Sequence, residues 1–524
     1  ILEELYKRKP DVLCFSCYIW NIDYVTDIAR EYKKLCPSVP IWVGGPEVSY
    51  EVEAFLRENP YIDGVMIGEG EDTFRELCGY YAHKRKLSDI AGIAFRKNST
   101  GNSTSVNNIG GNKAGEIVFT SPRPIKNMSE IPFCYDTLDD FSNRIIYYES
   151  SRGCPFSCSY CLSSVDKTLR FRDTEIVKRE LKFFIDQKVP QIKFVDRTFN
   201  CNHAHAMELW RFIKANDNGV TNFHFEISAD LLNQEELELI SDMRPGLIQL
   251  EIGVQSTNEV TIKEIHRTMK LERLKEVVKL IQSGNNIHEH LDLIAGLPYE
   301  DYDSFGHSFD EIYELKPNQL QLGFLKVLKG SYMFEHAAEY GIVYHDKPPY
   351  EVMSTKWLSF DDVIKIKRVE DMLEVYYNSG QFEITMKLME CIFDSAFEFF
   401  QELGDFYEAN GYFGMSHSRI RRCEILLEFL ALYLHGCDND DITSVGLSEN
   451  DGDRDNTDFD ENAQIYSMIQ ESLIFDLYYR ENCKSRPRWA TDIGKFKHMT
   501  HAYCKNGKLS HVEPFHYIFP DKHS

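Results

Sequence analysis

The chain has 524 residues, of which 43% are hydrophobic and 27% charged, the balance of an ordinary globular protein. A chain of this length is expected to form two to four domains. The net charge of −25 argues against nucleic acid as the main partner, because proteins that bind phosphate usually present a basic surface. The sequence contains no apolar run of about 20 residues, which argues against a membrane span.

The chain begins with Ile1 and opens directly on the helix-like run ILEELYKRKP, so we expect it to be a fragment without its natural N-terminus. The 14 cysteines are irregularly spaced outside one tight group, and several lie in apolar runs, as Cys391 does in MECIFDSAF. This usage predicts reduced thiols and a cytoplasmic location, and it argues against a disulfide framework.

Residues 1–122 alternate short apolar runs with amphipathic helical patterns. The runs DVLCFSCYIW, VPIWVGG and IDGVMIGEGE predict three strands separated by helices. Strands that alternate with helices predict a parallel sheet covered on both faces, with ligands at the carboxyl ends of the strands. Two further strand-like pieces, AGIAFRK and EIVFTSP, flank a polar hairpin tip at 98–114. Residues 123–143 are expected to form a linker.

The strand–helix alternation resumes over residues 144–355. Six strands are predicted, at RIIYYES, IKFVD, NFHFEIS, LIQLEIGV, EHLDLIAGL and QLQLGFLKVL. Six such repeats predict a partial or full (β/α) barrel, whose chemistry is carried by the residues that follow each strand. Residues 356–524 are expected to form a mostly α-helical C-terminal domain, interrupted by a disordered acidic insertion at 438–462.

Cys154, Cys158 and Cys161 form a C-x3-C-x2-C pattern directly after the first of these strands. Three converging thiolates bind soft metals such as zinc or an iron–sulfur cluster. Structural zinc normally takes four ligands, often from a second C-x2-C pair, and the sequence offers no such pair. A [4Fe–4S] cluster held by three cysteines would leave one iron open to a chelating molecule.

The cysteine pattern, with Tyr160 at its aromatic position, resembles the C-x3-C-x-aromatic-C signature of the radical S-adenosylmethionine (SAM) enzymes. The resemblance implies that the open iron binds SAM and that the reduced cluster cleaves it to methionine and a 5′-deoxyadenosyl radical. It also implies roles at later strand ends, each of which would by itself equally suit the core or the surface. They are Glu226 for the SAM amino group, Arg267 for its carboxylate, Gln255 and Asp292 for the ribose, Gly296 in the adenine-binding turn, and Asp196 in an acidic turn.

Three further residues follow the second strand of the predicted barrel. Cys201, His203 and His205 either face the substrate or cap and begin the next helix.

The runs FSCYIWN, VGGPEVS and VMIGEGE resemble the cobalamin-binding domain that precedes many radical SAM enzymes. The resemblance implies a partial Rossmann-like domain over 1–122, in which Ser16, Gly44 and Gly45 let the backbone approach the nucleotide tail of cobalamin. The first strand of that family, with its Asp-x-His-x-x-Gly cobalt-ligand loop, is not in this sequence. A generic α/β domain used only for packing is the alternative.

Together, these resemblances imply an α/β protein with a partial Rossmann-like cobalamin-binding domain, a radical SAM (β/α)6 partial TIM barrel and a helical C-terminal domain. They imply methyl transfer, or another radical reaction, on a small-molecule or peptide substrate, with a reductant such as flavodoxin or ferredoxin. One alternative is a non-catalytic iron–sulfur redox protein, which would need the cysteines but not Gln255, Arg267 or Asp292. Another alternative is a methylthiotransferase. Those enzymes have three further cluster cysteines in their N-terminal domain, and the spacing of Cys14, Cys17 and Cys36 does not resemble that set. The sequence predicts neither the substrate nor the catalytic residues.

Overall fold

The computed structural model describes residues 1–97, 115–135, 137–141, 144–165, 167–435, 456–480, 486–490, 504–505 and 508–509. The chain forms two compact units, one of residues 1–301 and 323–359, the other of residues 302–322 and 360–524. Within the described ranges, no helix is long and apolar enough to cross a membrane. The predicted hairpin tip at 98–114 and residues 438–455 of the acidic insertion lie outside the described residues.

The first unit begins with a five-stranded sheet in the order β1-β2-β3-β4-β5. Its strands are β1 (Leu13–Ser16), β2 (Ile41–Gly44), β3 (Gly64–Met66), β4 (Ile93–Lys97) and β5 (Glu116–Phe119). Its helices are α1 (Leu2–Arg8), α2 (Ile22–Leu35), α3 (Val52–Glu58) and α4 (Gly70–Tyr81). The first three strands pair in parallel, while β4 and β5 are added as an antiparallel hairpin, which confirms the predicted order of elements.

The central strands β2 and β3 are buried on both faces, which explains why they are continuously apolar. On one face, Ile41 and Val43 of β2 pack in a cluster that includes Tyr32 of α2. On the other face, Trp42 packs with Leu77 of α4. Neighbouring residues of one strand therefore contribute to separate cores, as the alternation of side chains along a strand requires.

A second sheet has the order β13-β12-β11-β10-β9-β6. Its strands are β6 (Ile146–Tyr148), β9 (Gln191–Phe194), β10 (Asn222–Ile227), β11 (Ile248–Gln255), β12 (His288–Ala295) and β13 (Gln319–Phe324). Strand β6 pairs in parallel with β9, and β9 to β12 pair in parallel with one another, which confirms six strands in sequential order with β6 and β13 at the edges.

Helices connect the strands of the second sheet. They are α5 (Thr174–Asp186), α6 (His203–Ala215), α7 (Gln234–Ser241), α8 (Glu259–Glu264), α9 (Leu271–Gly284) and α10 (Tyr302–Tyr313). A short hairpin, β7 (Ser151–Arg152) with β8 (Arg170–Phe171), follows β6. After β13 come α11 (Tyr332–His336) and a second hairpin, β14 (Val343–Tyr344) with β15 (Val352–Ser354).

The second unit is helical. Its further helices are α12 (Phe360–Leu373), α13 (Glu383–Met389), α14 (Ala396–Ala409), α15 (Arg419–His435) and α16 (Asn456–Arg480). Helix α14 begins as a separate helix from α13 because Ser395 caps it by accepting a hydrogen bond from the backbone N–H of Glu398. Residues 456–462, predicted as part of the disordered insertion, begin α16, whose sequence from Ala463 onward is a good helix former.

Segment 302–322 belongs to the helical unit, although the sequence pattern assigns it to the barrel. The reason is an aromatic face on α10. Phe305 and Phe309 stack against Phe397 of α14, and Asp310 accepts hydrogen bonds from Ser395 Oγ at 2.7 Å and from the backbone of Phe397 at 2.8 Å.

Candidate functional site

The three motif cysteines lie on the loop that joins β7 to β8, just beyond the carboxyl end of β6. Ser151 pairs with Phe171 and Arg152 with Arg170, which closes the loop at its base. Gly153, the first residue of the loop, has a φ of +92°, and a Cβ there would lie 2.6 Å from the carbonyl oxygen of Thr168. Glycine is therefore required where the two ends of the loop meet.

The loop is held from both sides by backbone hydrogen bonds. The Ser159 N–H donates to the Ile265 carbonyl, and the Met333 N–H donates to the Ser159 carbonyl, each at 2.9 Å. Cys154 and Cys158 are buried and Cys161 is half-buried. The loop is therefore fixed by segments that follow two other strands of the sheet.

The three thiols are free and lie close enough to interact electrostatically. Burial raises the pKa of Cys154, and the neighbouring Cys161 and Cys158 raise it further. Within the described residues, no three His, Cys, Asp or Glu side chains converge on a single ion. A four-iron cluster has a different requirement, because each of its thiolates binds a different iron atom. The donor set and its position beside Arg267 fit such a cluster.

Arg267, which follows α8, links the cysteine loop to the end of β11. Its Nη1 lies 3.9 Å from Cys158 Sγ and donates to the Tyr160 hydroxyl at 3.4 Å. Its Nη2 donates to the Gly253 carbonyl. The structure thus brings together Cys158, Tyr160 and Arg267 as the sequence predicts.

Gln255 ends β11 in an unusual conformation. Its φ is +77°, and the register of β11 against β12 shifts between Gly253 and Gln255. The side chain folds back over Gly253, where an added Cβ would lie 2.3 Å from Gln255 Nε2. A positive φ in a residue with a side chain is strained and often marks a functional site.

Three of the residues predicted to contact SAM have a buried polar atom without a hydrogen-bond partner among the described residues. The atoms are Gln255 Oε1, Arg267 Nε and Asp292 Oδ1, and His290 Nε2 lies 3.2 Å from the last of them without forming a hydrogen bond. Buried polar atoms are normally satisfied, so each of these is suited to a polar ligand. The hydroxyl and carboxylate groups of SAM would supply such partners.

The pKa values of the acidic residues in this region are shifted in opposite directions. Burial alone would raise the pKa of Glu251, but hydrogen bonds from His224 at 2.8 Å and Lys193 at 2.9 Å lower it to about 2. Burial raises the pKa of Asp292 to about 8, with added repulsion from Glu251 and Glu226. Burial likewise raises the pKa of Glu226. A cationic ligand such as SAM would stabilise the ionised forms of Glu226 and Asp292.

This electrostatic arrangement predicts that Asp292→Asn stabilises the protein without ligand. The folded pKa of about 8 lies above the unfolded value near 3.9, so the contribution of Asp292 to stability falls as pH rises from about 4 to 8. We expect Asp292→Asn to raise the free energy of unfolding by about 2 kcal/mol at pH 8 and by much less at pH 5. Denaturant unfolding at both pH values measures this.

The control for this experiment is Asp217→Asn. A hydrogen bond from Arg244 lowers the pKa of Asp217, so this replacement should destabilise the protein at pH 8. An Asp292→Asn variant less stable than the wild type at pH 8 would contradict the assignment of Asp292 as a residue kept for ligand binding.

Asp196 follows β9, is fully buried and is hydrogen-bonded to the start of the cysteine loop. Its carboxylate accepts hydrogen bonds from the Ser150 N–H at 2.9 Å, Ser150 Oγ at 2.7 Å and Ser151 Oγ at 2.5 Å. Burial raises its pKa to about 6 despite these bonds. Because Ser150 and Ser151 bind both of its oxygens, Asp196 anchors the start of the cysteine loop. A contact between Asp196 and a cofactor stays a prediction.

The histidines after β9 have structural environments. His205 is buried, its Nε2 lies 3.0 Å from Ser150 Oγ, and burial lowers its pKa to about 4. His203 is half exposed and lies 3.0 Å from Glu236. Asn202 caps α6 through the His205 N–H, which agrees with the helix-cap interpretation. Gly296, after β12, has a φ of +87° and packs against Val352.

The residues predicted to bind cobalamin meet at the carboxyl edge of the first sheet. Ser16 and Gly44 are register partners, and the Cys17 N–H donates to the Gly44 carbonyl at 2.7 Å. Gly45 has a φ of +116°, and a Cβ there would lie 2.4 Å from the Cys17 carbonyl oxygen. The loops after β1 and β2 therefore pack backbone to backbone, which only glycine permits.

Two contacts that the sequence did not predict join the loops of this sheet to the second sheet. Glu47, after β2, accepts a hydrogen bond from the Tyr350 hydroxyl at 2.7 Å. Glu69, after β3, lies 2.6 Å from Arg170 and 3.2 Å from Arg152, at the base of the cysteine loop. Loops at the carboxyl edge of the first sheet thus contact the loops that surround the candidate SAM site.

Two protein-family models match the parts of the chain that contain strands of the two sheets. A model described as the B12 binding domain matches residues 1–78, and the radical SAM superfamily model matches residues 148–312. The chain therefore carries a B12-binding domain followed by a radical SAM domain. These two domains imply a [4Fe–4S] cluster, SAM and cobalamin as cofactors. A model described as a protein of unknown function (DUF4080) matches residues 338–517.

Related B12-binding radical SAM proteins include methyltransferases. The cobalamin-dependent radical SAM methyltransferase TokK of Streptomyces tokunonensis is 28% identical over 330 residues, 58% of this chain and 45% of TokK. An uncharacterised methyltransferase of Pyrococcus horikoshii is 24% identical over 377 residues, 70% of this chain and 76% of that protein. The chain therefore spans less than half the length of TokK.

Solved structures show the same fold. The cobalamin-dependent SAM radical enzyme OxsB matches 92% of this chain and 74% of its own with a TM-score of 0.56 at 16% identity. The radical SAM methyltransferase TsrM from Kitasatospora setae matches 67% of this chain and 73% of its own with a TM-score of 0.52 at 16% identity.

Proposed function

We propose that this protein cleaves SAM reductively at a cluster held by Cys154, Cys158 and Cys161 and uses cobalamin in methyl transfer or another radical reaction. The observation that carries the proposal is the set of buried atoms of Gln255, Arg267 and Asp292 that have no hydrogen-bond partner, with Arg267 lying beside Cys158. The cluster supplies the electron that breaks a carbon–sulfur bond of SAM. The substrate class is a small molecule or a peptide.

The residues around the cluster bind and orient SAM in this proposal. Arg267 pairs with its carboxylate by a charge-assisted hydrogen bond. Glu226 accepts from its amino group, while Gln255 and Asp292 bind the ribose and Gly296 turns the backbone towards the adenine. Tyr160 holds Arg267 in place through its hydroxyl.

We further propose that Ser16, Gly44 and Gly45 hold cobalamin. Support comes from the place of these residues, which lie together where the loops after β1 and β2 meet at the carboxyl edge of the first sheet. The contacts of Glu47 and Glu69 with loops around the SAM site favour a cobalamin position that faces the cluster.

The proposed domains are a B12-binding domain at 1–122, a linker at 123–143, a radical SAM domain at 144–355 and a helical domain at 356–524. Radical SAM enzymes need an electron donor, and we propose a flavodoxin or ferredoxin. Buried free thiols at Cys17 and Cys423 support a reducing cytoplasm.

The test is incubation of anaerobically reconstituted protein with SAM, dithionite and hydroxocobalamin, followed by chromatography of nucleosides and cobalamins. We expect 5′-deoxyadenosine from SAM cleavage, and S-adenosylhomocysteine with methylcobalamin if the reaction is methyl transfer. An intact cluster with none of these products would favour the non-catalytic iron–sulfur protein.

A further inference from the structure

Glu69 lies between two arginines at the base of the cysteine loop. Its Oε1 is 2.6 Å from Arg170 Nη2 and 3.2 Å from Arg152 Nη1. Arg152 also pairs with Glu71 at 2.9 Å and with Glu149 at 2.7 Å. Arg170 has Glu69 as its ion-pair partner and also donates to the Lys126 carbonyl at 3.0 Å.

The two arginines face each other across the hairpin that closes the loop. Arg152 and Arg170 are register partners in β7 and β8, a ladder of only two residues per strand. Like charges placed directly opposite each other destabilise a strand pair, and so short a ladder has little stability of its own. A negative charge that contacts both guanidinium groups therefore stabilises the hairpin.

Glu69 is suited to supply that charge. Burial would raise its pKa, but the hydrogen bond from Arg170 and the charge of Arg152 lower it below the usual value. Its side chain is 22% exposed, and those of Arg152 and Arg170 are 23% and 12% exposed, so solvent screens these pairs less than it screens a surface pair.

We infer that Glu69 is a positioning residue for the cluster: a carboxylate of the B12-binding domain that keeps the cysteine loop closed. Cys154 lies two residues beyond Arg152, so opening of the hairpin would move this thiol away from Cys158 and Cys161. The cluster-holding part of this inference rests on the proposed function. The same contact makes retention of the cluster depend on the docking of the B12-binding domain.

The test compares Glu69→Gln with a matched control on α4, the helix that begins directly after Glu69. Glu76 of α4 also bridges two arginines, Arg123 at 2.5 Å and Arg85 at 3.1 Å, and neither lies in the cysteine loop. Glu76→Gln therefore removes one charge and two ion pairs of the same kind. Two rates are measured, amide hydrogen exchange over 150–172 in the protein without cluster, and iron release to a chelator in the reconstituted protein.

We expect Glu69→Gln to increase both rates about fivefold and Glu76→Gln to leave them unchanged. The double variant Glu69→Gln with Arg170→Gln should return exchange towards the wild-type rate, because the repulsion between the arginines is then removed. If Glu69→Gln raised the exchange rate only by disturbing local packing, the added Arg170→Gln replacement would not lower that rate again.

Wild-type rates in Glu69→Gln, or equal increases in Glu69→Gln and Glu76→Gln, would overturn the inference. If Glu69→Gln fails to fold, Glu69→Asp replaces it, with a smaller expected increase in both rates. If the wild-type protein holds no cluster, the proposed function fails, whereas the exchange comparison still decides whether Glu69 keeps the loop closed.

Discussion

Replacing Arg267 by alanine is expected to lower the rate of SAM cleavage at least about 30-fold while the cluster remains intact. Loss of one partner from a buried charge pair costs about 2–5 kcal/mol, and Arg267 is the cation beside Cys158 with an unpartnered nitrogen. The cysteines themselves do not change. The measurements are 5′-deoxyadenosine formed with dithionite and the iron content of the reconstituted protein.

The matched control is Arg273→Ala. Arg273, on α9, pairs with Glu276 at 3.2 Å and donates to the Leu232 carbonyl at 3.2 Å, so it is an arginine held by comparable contacts outside the site. Its replacement should leave the cleavage rate within about twofold of wild type, as is usual for surface changes. Unchanged cleavage by Arg267→Ala would contradict the assigned role of Arg267.

Replacing Gly45 by alanine is expected to weaken cobalamin binding at least about 100-fold. The added Cβ would lie 2.4 Å from the Cys17 carbonyl oxygen and 3.0 Å from its nitrogen, and a backbone clash cannot be relieved by a rotamer change. Either the loop after β1 or the loop after β2 must move, at a cost of about 3 kcal/mol including the strain of the positive φ. Spectroscopic titration with hydroxocobalamin measures the affinity.

Gly68→Ala is the control for Gly45→Ala, because it introduces backbone strain at a positive φ without a steric clash. Gly68 follows β3 with a φ of +76°, but no atom lies within 4 Å of the Cβ position, so its replacement strains the backbone without a collision. We expect Gly68→Ala to bind cobalamin nearly as well as the wild type. If Gly45→Ala binds cobalamin with wild-type affinity, the proposed cobalamin site is refuted. The rate of SAM cleavage by each variant reports whether the barrel is intact.

The strands and the cysteine loop could be predicted because their signals are local. Apolar runs of strand length separated by amphipathic helices mark β6 and β9 to β13, and the cysteine spacing needs no tertiary information. The same holds for β1 to β3. Residues at the ends of these strands are necessarily neighbours in a parallel sheet, so Gln255 and Asp292 could be placed at one edge in advance.

Other features depend on contacts distant in sequence. Asp196 has the position of a ligand-binding acid, but only the fold shows that Ser150 and Ser151 occupy its oxygens. The pair of Glu69 with Arg170 spans 101 residues and follows no periodic pattern. Segment 302–322 joins the helical unit through an aromatic face that is equally suited to a barrel helix.

The central claim is that three cysteines hold a cluster that cleaves SAM. Its most direct test is the formation of 5′-deoxyadenosine by reconstituted, reduced protein without cobalamin or substrate, compared with Cys158→Ala. We predict slow formation of this nucleoside by the wild type and none by Cys158→Ala. A fully assembled cluster that leaves SAM intact would contradict the claim.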